Sequence, residues 1–233
     1  AFPTSIGGQR CKAMVEQLQA PDFNITVTQH DGPGQRSLQV RAKNLNALHF
    51  QAYRLTLDEV LKAAGSEAVL PQGDRLKALL KGHEPVRWSL ELPATPDLKE
   101  HVTSVKPPLT QEGVWVIRAS ARQSFDDVDN RIVEATMVVS RVSLLHHRGE
   151  AFEEIIAVDS LTGAPVPQAR VEIWRYNWNT PATLGQSVST GADGVVRVST
   201  FSQNEQFFAV ARANGSFGID VDGFDSGFKG TTT

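Results

Sequence analysis

Apolar and polar residues alternate with a period of two over much of this chain. The clearest run alternates without exception from Val86 to Leu92. Because successive side chains of a strand point to opposite faces, this run predicts a strand with one buried face. Similar patterns predict further strands at 24–29, 38–42, 48–55, 114–121, 132–140, 155–158, 169–176, 206–213 and 217–221. The run 93–108 lacks the pattern and is predicted to be a loop.

The period changes to that of a helix in three places. Residues 9–19 carry an apolar stripe at helical spacing, formed by Cys11, Met14, Val15 and Leu18. Thr56 and Glu59 have the spacing of a capping box and predict a helix that continues to Ala64. A third helix is predicted over 74–81, ended by Gly82. The second and third helices interrupt the strand pattern and are interpreted as an insertion over 56–82.

Turn signals are concentrated in the second half of the chain. The run Asp159–Pro167 is rich in turn residues and separates two predicted strands. A tight turn is predicted at Asp193 and Gly194, and Asn214 with Gly215 predicts a hairpin. Short strands separated by such turns are typical of a β-sandwich.

The predicted fold class is mainly β, with two tandem immunoglobulin-like β-sandwiches. Residues 132–145 are too many for one ordinary strand, so we place a boundary after Ser140. The predicted domains are a helical segment over 1–20, a sandwich with the helical insertion over 21–140, and a second sandwich over 141–233. The length of 233 residues suits two domains of about a hundred residues each.

Composition narrows the function classes. The chain has 23 basic and 26 acidic residues, and no clustered basic stretch of the kind that binds nucleic acid. No apolar run is long enough to span a bilayer, so direct membrane insertion is not expected. The single cysteine, Cys11, excludes an internal disulfide framework and a thiolate zinc site. The chain starts at Ala1 without a visible signal peptide, and we expect an excised piece or a processed product.

An aromatic row is the strongest candidate for a binding surface. Trp174, Tyr176 and Trp178 share parity along one predicted strand and its extension. Such a row can bind sugars or a protein partner, or it can be buried against a neighbouring domain or in a sandwich core. Because Val171 and Ile173 suit the core on the opposite face, we expect the aromatic face to be partly accessible to solvent.

Other candidate groups have structural interpretations. Asp220, Asp222 and Asp225 could hold calcium, but the spacing departs from an EF-hand and a solvated strand end is expected. A solvated hairpin tip is expected for Asp126, Asp127 and Asp129. Adjacent residues on a strand diverge, so neither His146 with His147 nor Glu153 with Glu154 forms a chelating or catalytic pair. The histidines are expected at the surface of a domain junction. We therefore expect no catalytic residue, no metal and no cofactor.

Several phrases of the sequence resemble the macroglobulin-like domains of the bacterial α2-macroglobulin family. The run DSLTGAPVPQARV, from Asp159 to Val171, resembles a strand–turn–strand of that family. The run TGADGV from Thr190 to Val195 resembles the hairpin that follows it, and 41–55 and 113–120 are similar to an upstream domain. The first of these phrases also occurs in other extracellular sandwiches.

The resemblance implies a structural segment of a protease inhibitor. Proteins of this family trap a protease after it cuts a bait segment, so the implied partners are proteases and the neighbouring domains of a larger chain. The implied location is the periplasm or the outer envelope of a bacterium. The family's thioester motif is Cys-x-Glu-Gln, which Cys11 does not match because Lys12, Ala13 and Met14 follow it. The alternative hypothesis is a surface adhesin or carbohydrate-binding module that uses Trp174, Tyr176 and Trp178.

Overall fold

The structure is a computed structural model that describes residues 5–28, 30–35, 38–65, 68–126, 128–149, 152–177, 180–199, 206–220 and 224–225. Within these residues the chain is mainly β, which confirms the predicted fold class. The described residues also form three helices, α1 (Ile6–Gln19), α2 (Leu57–Ala63) and α3 (Gly73–Leu80).

The described strands fall on either side of Ser140. The strands before it are β1 (Asp22–Val27), β2 (His30–Asp31), β3 (Leu38–Lys43), β4 (Ala47–Leu55), β5 (Val86–Glu91), β6 (His101–Val105), β7 (Gly113–Ser120) and β8 (Ile132–Val139). The strands after it are β9 (Val142–Arg148), β10 (Phe152–Asp159), β11 (Arg170–Asn177), β12 (Thr180–Ser189), β13 (Val195–Ser199), β14 (Gln206–Ala213), β15 (Ser216–Ile219) and β16 (Phe224–Asp225). None of the sheets that the described residues form mixes strands from the two groups.

The first group forms two sheets packed face to face. Sheet A has the strand order β1-β3-β6, and sheet B has the order β2-β8-β7-β4-β5. Their inner faces enclose one apolar core, in which Leu38 and Val40 of sheet A pack with Phe50 and Ile117 of sheet B. The alternation predicted for β5 is present, and Val86, Trp88 and Leu90 turn towards this core.

The second group forms another pair of sheets. Sheet C has the order β13-β10-β9, and sheet D has the order β12-β11-β14-β15 with β16 paired to β14. Their shared core includes Ile155 and Val196 from sheet C, and Val171, Ile173 and Phe207 from sheet D.

The structure departs from the predicted elements in two places. The predicted loop over 93–108 contains β6, which pairs with β3 through the backbone. The strand has a mostly exposed, polar sequence at the edge of sheet A, so the hydrophobic pattern gave no signal for it. The turn at Gly194 joins β12 of sheet D to β13 of sheet C, so it connects the two layers instead of closing a hairpin within one sheet.

The turn motifs of the second half are held by side-chain hydrogen bonds. The Asp159 carboxylate accepts from the backbone N–H of Leu161 and from both the N–H and the hydroxyl of Thr162, at 2.8–3.0 Å. These bonds, led by the Thr162 backbone, lower the pKa of Asp159. The buried Thr190 hydroxyl donates to Val166 O at 2.7 Å and accepts from Ala169 N at 2.9 Å. The two motifs are therefore joined to each other.

Gly194 lies where the chain passes closely over β10. Its φ is +74°, and a Cβ built there would lie 2.6 Å from the carbonyl oxygen of Ala157. Its own carbonyl accepts a hydrogen bond from Ala157 N at 2.9 Å, and this bond holds Gly194 against β10. A side chain at this position meets both left-handed backbone strain and a backbone clash.

We predict that Gly194→Ala destabilises the protein more than Gly163→Ala. Gly163 has a similar φ of +71°, but a Cβ there meets nothing within 4 Å. Gly163→Ala therefore reports the backbone strain alone, about 1 kcal/mol, while Gly194→Ala adds the clash. Urea unfolding of both variants measures the difference. Equal midpoints would contradict the close approach at Gly194.

Candidate functional site at the junction of the two sandwiches

Strand β7 is buried on both of its faces. Trp115, Ile117 and Ala119 point into the first sandwich. Val114 and Val116 point the other way, and they are also buried, with 0% and 1% of their surfaces exposed. The outer face of sheet B is thus apolar and covered where Val114 and Val116 lie.

The helical insertion covers part of that outer face. Leu57 and Val60 of α2 and Leu76 and Leu80 of α3 are buried against it. The capping box predicted at the start of α2 is confirmed, because Thr56 Oγ1 accepts from Glu59 N at 3.3 Å and the Glu59 carboxylate accepts from Thr56 N at 2.7 Å.

Hydrogen bonds favour the ionised form of Glu59, the acidic member of this capping box. The Thr56 hydroxyl donates to Glu59 Oε2 at 2.7 Å. This bond and the bond from the Thr56 backbone hold the pKa of Glu59 below its usual range. His83 Nε2 lies 3.3 Å from the other carboxylate oxygen and adds a smaller effect of the same sign.

Sheet D supplies the other side of the junction. Tyr176 is buried with 6% of its surface exposed, and Trp174 packs against the same cluster. Both rings contact Phe208 of β14: Trp174 stacks on it at 6.0 Å between centroids, and Tyr176 lies at 6.1 Å with a tilt of 53°. The indole N–H of Trp174 is buried and has no hydrogen-bond partner among the described residues.

The expectation that the aromatic face is open to solvent is therefore wrong at Tyr176. The expectation relied on parity, which separates two faces of a strand but does not show what covers each one. Here both faces of β11 are covered, one by sheet C and the other by the helices and sheet B. Trp178 lies outside the described residues. Sugar or partner binding by this row stays a prediction, and the burial of Tyr176 removes its main support.

One continuous apolar cluster joins the two sandwiches. It combines the apolar parts of the outer faces of sheets B and D with α2, α3 and their connection; we call it the junction core. Its buried members are Leu55, Leu57, Val60, Ala64, Val69, Leu76, Leu80, Val114, Val116, Val138, Tyr176, Phe208, Val210 and Ile219. Interfaces of this large, apolar kind resist relative motion of the domains that they join.

Charged residues surround the junction core on one side. Glu172 shares the outer face of sheet D, and only 8% of its side chain is exposed. Its carboxylate lies 3.3 Å from Arg170 and 3.6 Å from Arg212. Arg212 also lies 3.9 Å from Asp58 of α2, so the chain of charges crosses from one sandwich to the other. A buried carboxylate needs such partners, and Glu172 has two.

Hydrogen bonds close the seam around Ser140 and Ser216. Ser140 Oγ donates to the carbonyl of Phe217 and lies 3.0 Å from Ser216 Oγ. Ser216 Oγ in turn donates to Glu112 Oε2 at 2.8 Å, which ties β15 to the strand connection before β7. His30 Nε2 also contacts the carbonyl oxygen of Ile219. The seam is thus polar at its rim and apolar at its centre.

A cleft of about 610 Å³ opens between the sandwiches beside this seam. Arg54 and Asp58 line one wall, and Arg212 with the hairpin turn at Asn214 and Gly215 lines the other. Arg54 Nε already donates to the carbonyl of Glu112 at 2.7 Å, and Arg212 is shared by two carboxylates. The cationic side chains that line the cleft are therefore already paired within the protein, Arg54 with a backbone carbonyl and Arg212 with carboxylates.

The remaining candidate groups are dispersed. His146 Nε2 lies 2.8 Å from Glu153 Oε2 inside the second sandwich, whereas His147 Nδ1 lies 3.2 Å from Glu154 Oε2 on the opposite face. The two pairs diverge as predicted, but the position at a domain-junction surface is wrong for His146, which packs edge-on against Phe207.

The two aspartate groups fall at different places. Asp126 forms an ion pair with Arg122 at 3.7 Å, and Asp127 lies outside the described residues. Asp220 is buried, with 8% exposed, so the predicted solvated strand end is wrong at this residue, and Asp222 is not described. The described residues contain no group of three potential metal ligands. Among them, too, no helix has the length and apolarity that a membrane span needs.

Comparisons with known proteins find similarity in structure alone. No protein-family model and no curated protein matches the sequence. A crystal structure of native α2-macroglobulin from Escherichia coli spanning domains NIE-MG1 matches with a TM-score of 0.62 and 16% identity, over 87% of this chain and 97% of that one. The chain has the fold of bacterial α2-macroglobulin domains.

Two structures of longer α2-macroglobulin chains show the same similarity in fold. An E. coli structure spanning domains MG0-NIE-MG1 matches with a TM-score of 0.59 and 15% identity, over 86% of this chain and 64% of that one. A Salmonella α2-macroglobulin structure matches with a TM-score of 0.52 and 16% identity, over 86% of this chain but 12% of that one. This macroglobulin-like chain thus spans about an eighth of the Salmonella protein.

We predict that Phe208→Ala loosens α2 and α3, although Phe208 belongs to the second sandwich. Truncation of a buried phenylalanine destabilises a core by about 3–5 kcal/mol. Phe208 faces the junction core and is fully buried, so its loss uncovers the helices of the first sandwich. Native-state hydrogen exchange should show faster exchange of the α2 and α3 amides.

The neighbouring residue supplies the control. Phe207 is also buried, with 1% exposed, but it faces the core between sheets C and D. Phe207→Ala should accelerate exchange in those sheets more than in the helices. If both variants give the same exchange pattern in α2 and α3, the junction core is not what stabilises the helices.

We predict that Thr56→Ala weakens the macroglobulin-like junction in a pH-dependent way. Loss of the N-cap lowers the free energy of unfolding by about 1 kcal/mol at neutral pH. Because the pKa of Glu59 is lowered in the folded state, its stabilisation is present above the unfolded pKa and is lost as the pH falls through the folded pKa. Urea unfolding at neutral pH and below about pH 4 should therefore show a smaller penalty in acid. Glu59→Gln, which cannot ionise, should lack this pH dependence.

Proposed function

We propose that this chain is a two-sandwich segment of a bacterial α2-macroglobulin-like protease inhibitor. The observation that carries the proposal is the match to the E. coli NIE-MG1 structure over 97% of that chain. The motifs from Asp159 to Val171 and from Thr190 to Val195 support it independently, because they resemble that family in sequence.

The role proposed for the segment is mechanical. The junction core fixes the two sandwiches to each other, and the seam at Ser140 and Ser216 adds hydrogen bonds around it. A protein that encloses a protease needs walls that keep their shape while other parts move. Proteases and the neighbouring domains of a longer chain are the proposed partners, and the bacterial envelope is the proposed location. We propose no catalytic role and no cofactor.

A trapping assay tests the function. The product of the complete gene is incubated with trypsin, and cleavage of a large protein substrate is compared with cleavage of a small peptide substrate. An enclosed protease cannot reach the large substrate but still cuts the small one. We predict loss of the first activity with retention of the second.

The 233-residue chain alone serves as the control, because trapping requires a bait segment and a large rearrangement. It should leave both activities of trypsin unchanged. Slower cleavage of the peptide substrate by the isolated chain would show direct blockage of an active site and contradict a scaffold role. Unaltered cleavage of the large substrate by the complete protein would contradict the proposed trapping.

A further inference from the structure

The outer face of sheet C carries an apolar patch on the surface of the molecule. Antiparallel register places Leu145, Ile156 and Val195 side by side across the three strands. Leu145 is 54% exposed, and the other two are half-buried. Phe152, 37% exposed, and Val158 share the outward parity on β10. We call these five residues the sheet C patch.

A row of charges crosses the same face and is internally neutralised. Glu154 lies between Phe152 and Ile156 in the outward series of β10. Its carboxylate accepts from Arg197 Nε at 2.8 Å and lies 3.2 Å from His147 Nδ1. The row spans β9, β10 and β13 in register, parallel to the apolar row. A partner that covers the sheet C patch therefore needs an apolar surface and no opposing charge.

The other sheets of the molecule show what an apolar outer face means here. The outer faces of sheets B and D each have an apolar part, and that part is buried in the junction core. The outer face of sheet A is polar, with Asn24, Thr26, Gln39 and Arg41 around a single apolar Val102, and it is left to solvent. The sheet C patch is apolar like those buried parts, yet its residues Leu145 and Phe152 are exposed. Apolar residues that lie side by side at the surface, as Leu145, Ile156 and Val195 do, mark a candidate interaction site.

We propose that the sheet C patch is the docking face for another domain of the same, longer polypeptide. The inference depends on the proposed function, in which this chain is one segment of a multidomain protein. The occupant is taken from that polypeptide because the chain spans 12% of the Salmonella chain and 64% of the MG0-NIE-MG1 chain that it matches, which leaves whole domains to supply a cover. The docking surface presents an apolar strand or helix face to the row at Leu145, Ile156 and Val195.

Cysteine accessibility tests this proposal with a closely matched pair of sites. Leu145→Cys and Val102→Cys are each made in a Cys11→Ser background, in the 233-residue chain and in the product of the complete gene. Leu145 is 54% exposed and Val102 is 56% exposed, and both lie on the outer faces of three-stranded sheets. The two sites are therefore equally accessible in the 233-residue chain. N-ethylmaleimide labelling is followed by mass spectrometry of the peptide that carries each site, and circular dichroism verifies the fold.

We expect both cysteines to label at similar rates in the 233-residue chain. In the complete protein, Leu145→Cys should label at least about tenfold more slowly. A tenfold reduction corresponds to a docked state that is favoured by about 1.4 kcal/mol. Val102→Cys should keep its rate. Equal labelling of Leu145→Cys in the two proteins would overturn the proposal, as would equal protection of both sites. Concentration-dependent protection already in the 233-residue chain would identify a second copy as the occupant and would also overturn it.

This test separates the docking face from the proposed function. Labelling requires no protease, so a complete protein that protects Leu145→Cys but fails to trap trypsin would reject trapping and keep the docking face. A complete protein that traps trypsin while Leu145→Cys stays accessible would reject the docking face and keep the proposed trapping.

Discussion

The architecture depends on burying both faces of the central strands. An isolated sandwich needs one apolar face on each strand, with the other face left to water. In β7 and β14 both faces are apolar: Trp115 and Phe207 serve the sandwich cores, while Val116 and Phe208 serve the junction core. A chain with this composition cannot leave its two sandwiches apart without exposing a large apolar surface to water. The helices α2 and α3 fill the space between sheets B and D, so the insertion is part of what joins the two halves.

Local signals in the sequence predicted local structure well. The alternation from Val86 to Leu92 identified the buried face of β5, and the spacing of Thr56 and Glu59 identified the first turn of α2. Each of these features depends on residues within one turn or one strand, so short-range sequence contains the needed information. The domain limits placed around Ser140 remain a prediction, although the described sheets do separate there.

Features that depend on distant contacts could not be predicted in the same way. Parity placed Trp174 and Tyr176 on one face of β11. That face packs against α2, α3 and sheet B, and these helices lie far upstream of β11 in the sequence. The even positions of β11 also include Glu172, whose burial becomes reasonable only when Arg170 and Arg212 are found beside it. The sequence did contain one signal against an exposed aromatic face. Strand β11 carries apolar residues at both parities, which is the pattern of a strand buried on two sides. Strand β6 was missed for a related reason, because its pairing with β3 is made by backbone groups.

The same physics explains why the fold is visible in structure when sequence comparison finds nothing. Cores accept many combinations of apolar residues, provided that volume and patterning are kept. The buried members of the junction core are Leu, Val, Ile, Ala, Tyr and Phe, and its aliphatic side chains contribute apolar volume without directed bonds. An identity of 16% can therefore accompany a TM-score of 0.62. The constrained positions are fewer and are of another kind: Gly194, where a Cβ meets the backbone, and Thr190, whose hydroxyl joins two turns. Both lie in the phrases by which the chain resembles macroglobulin-like domains, since turn geometry limits residue choice more strictly than apolar packing does.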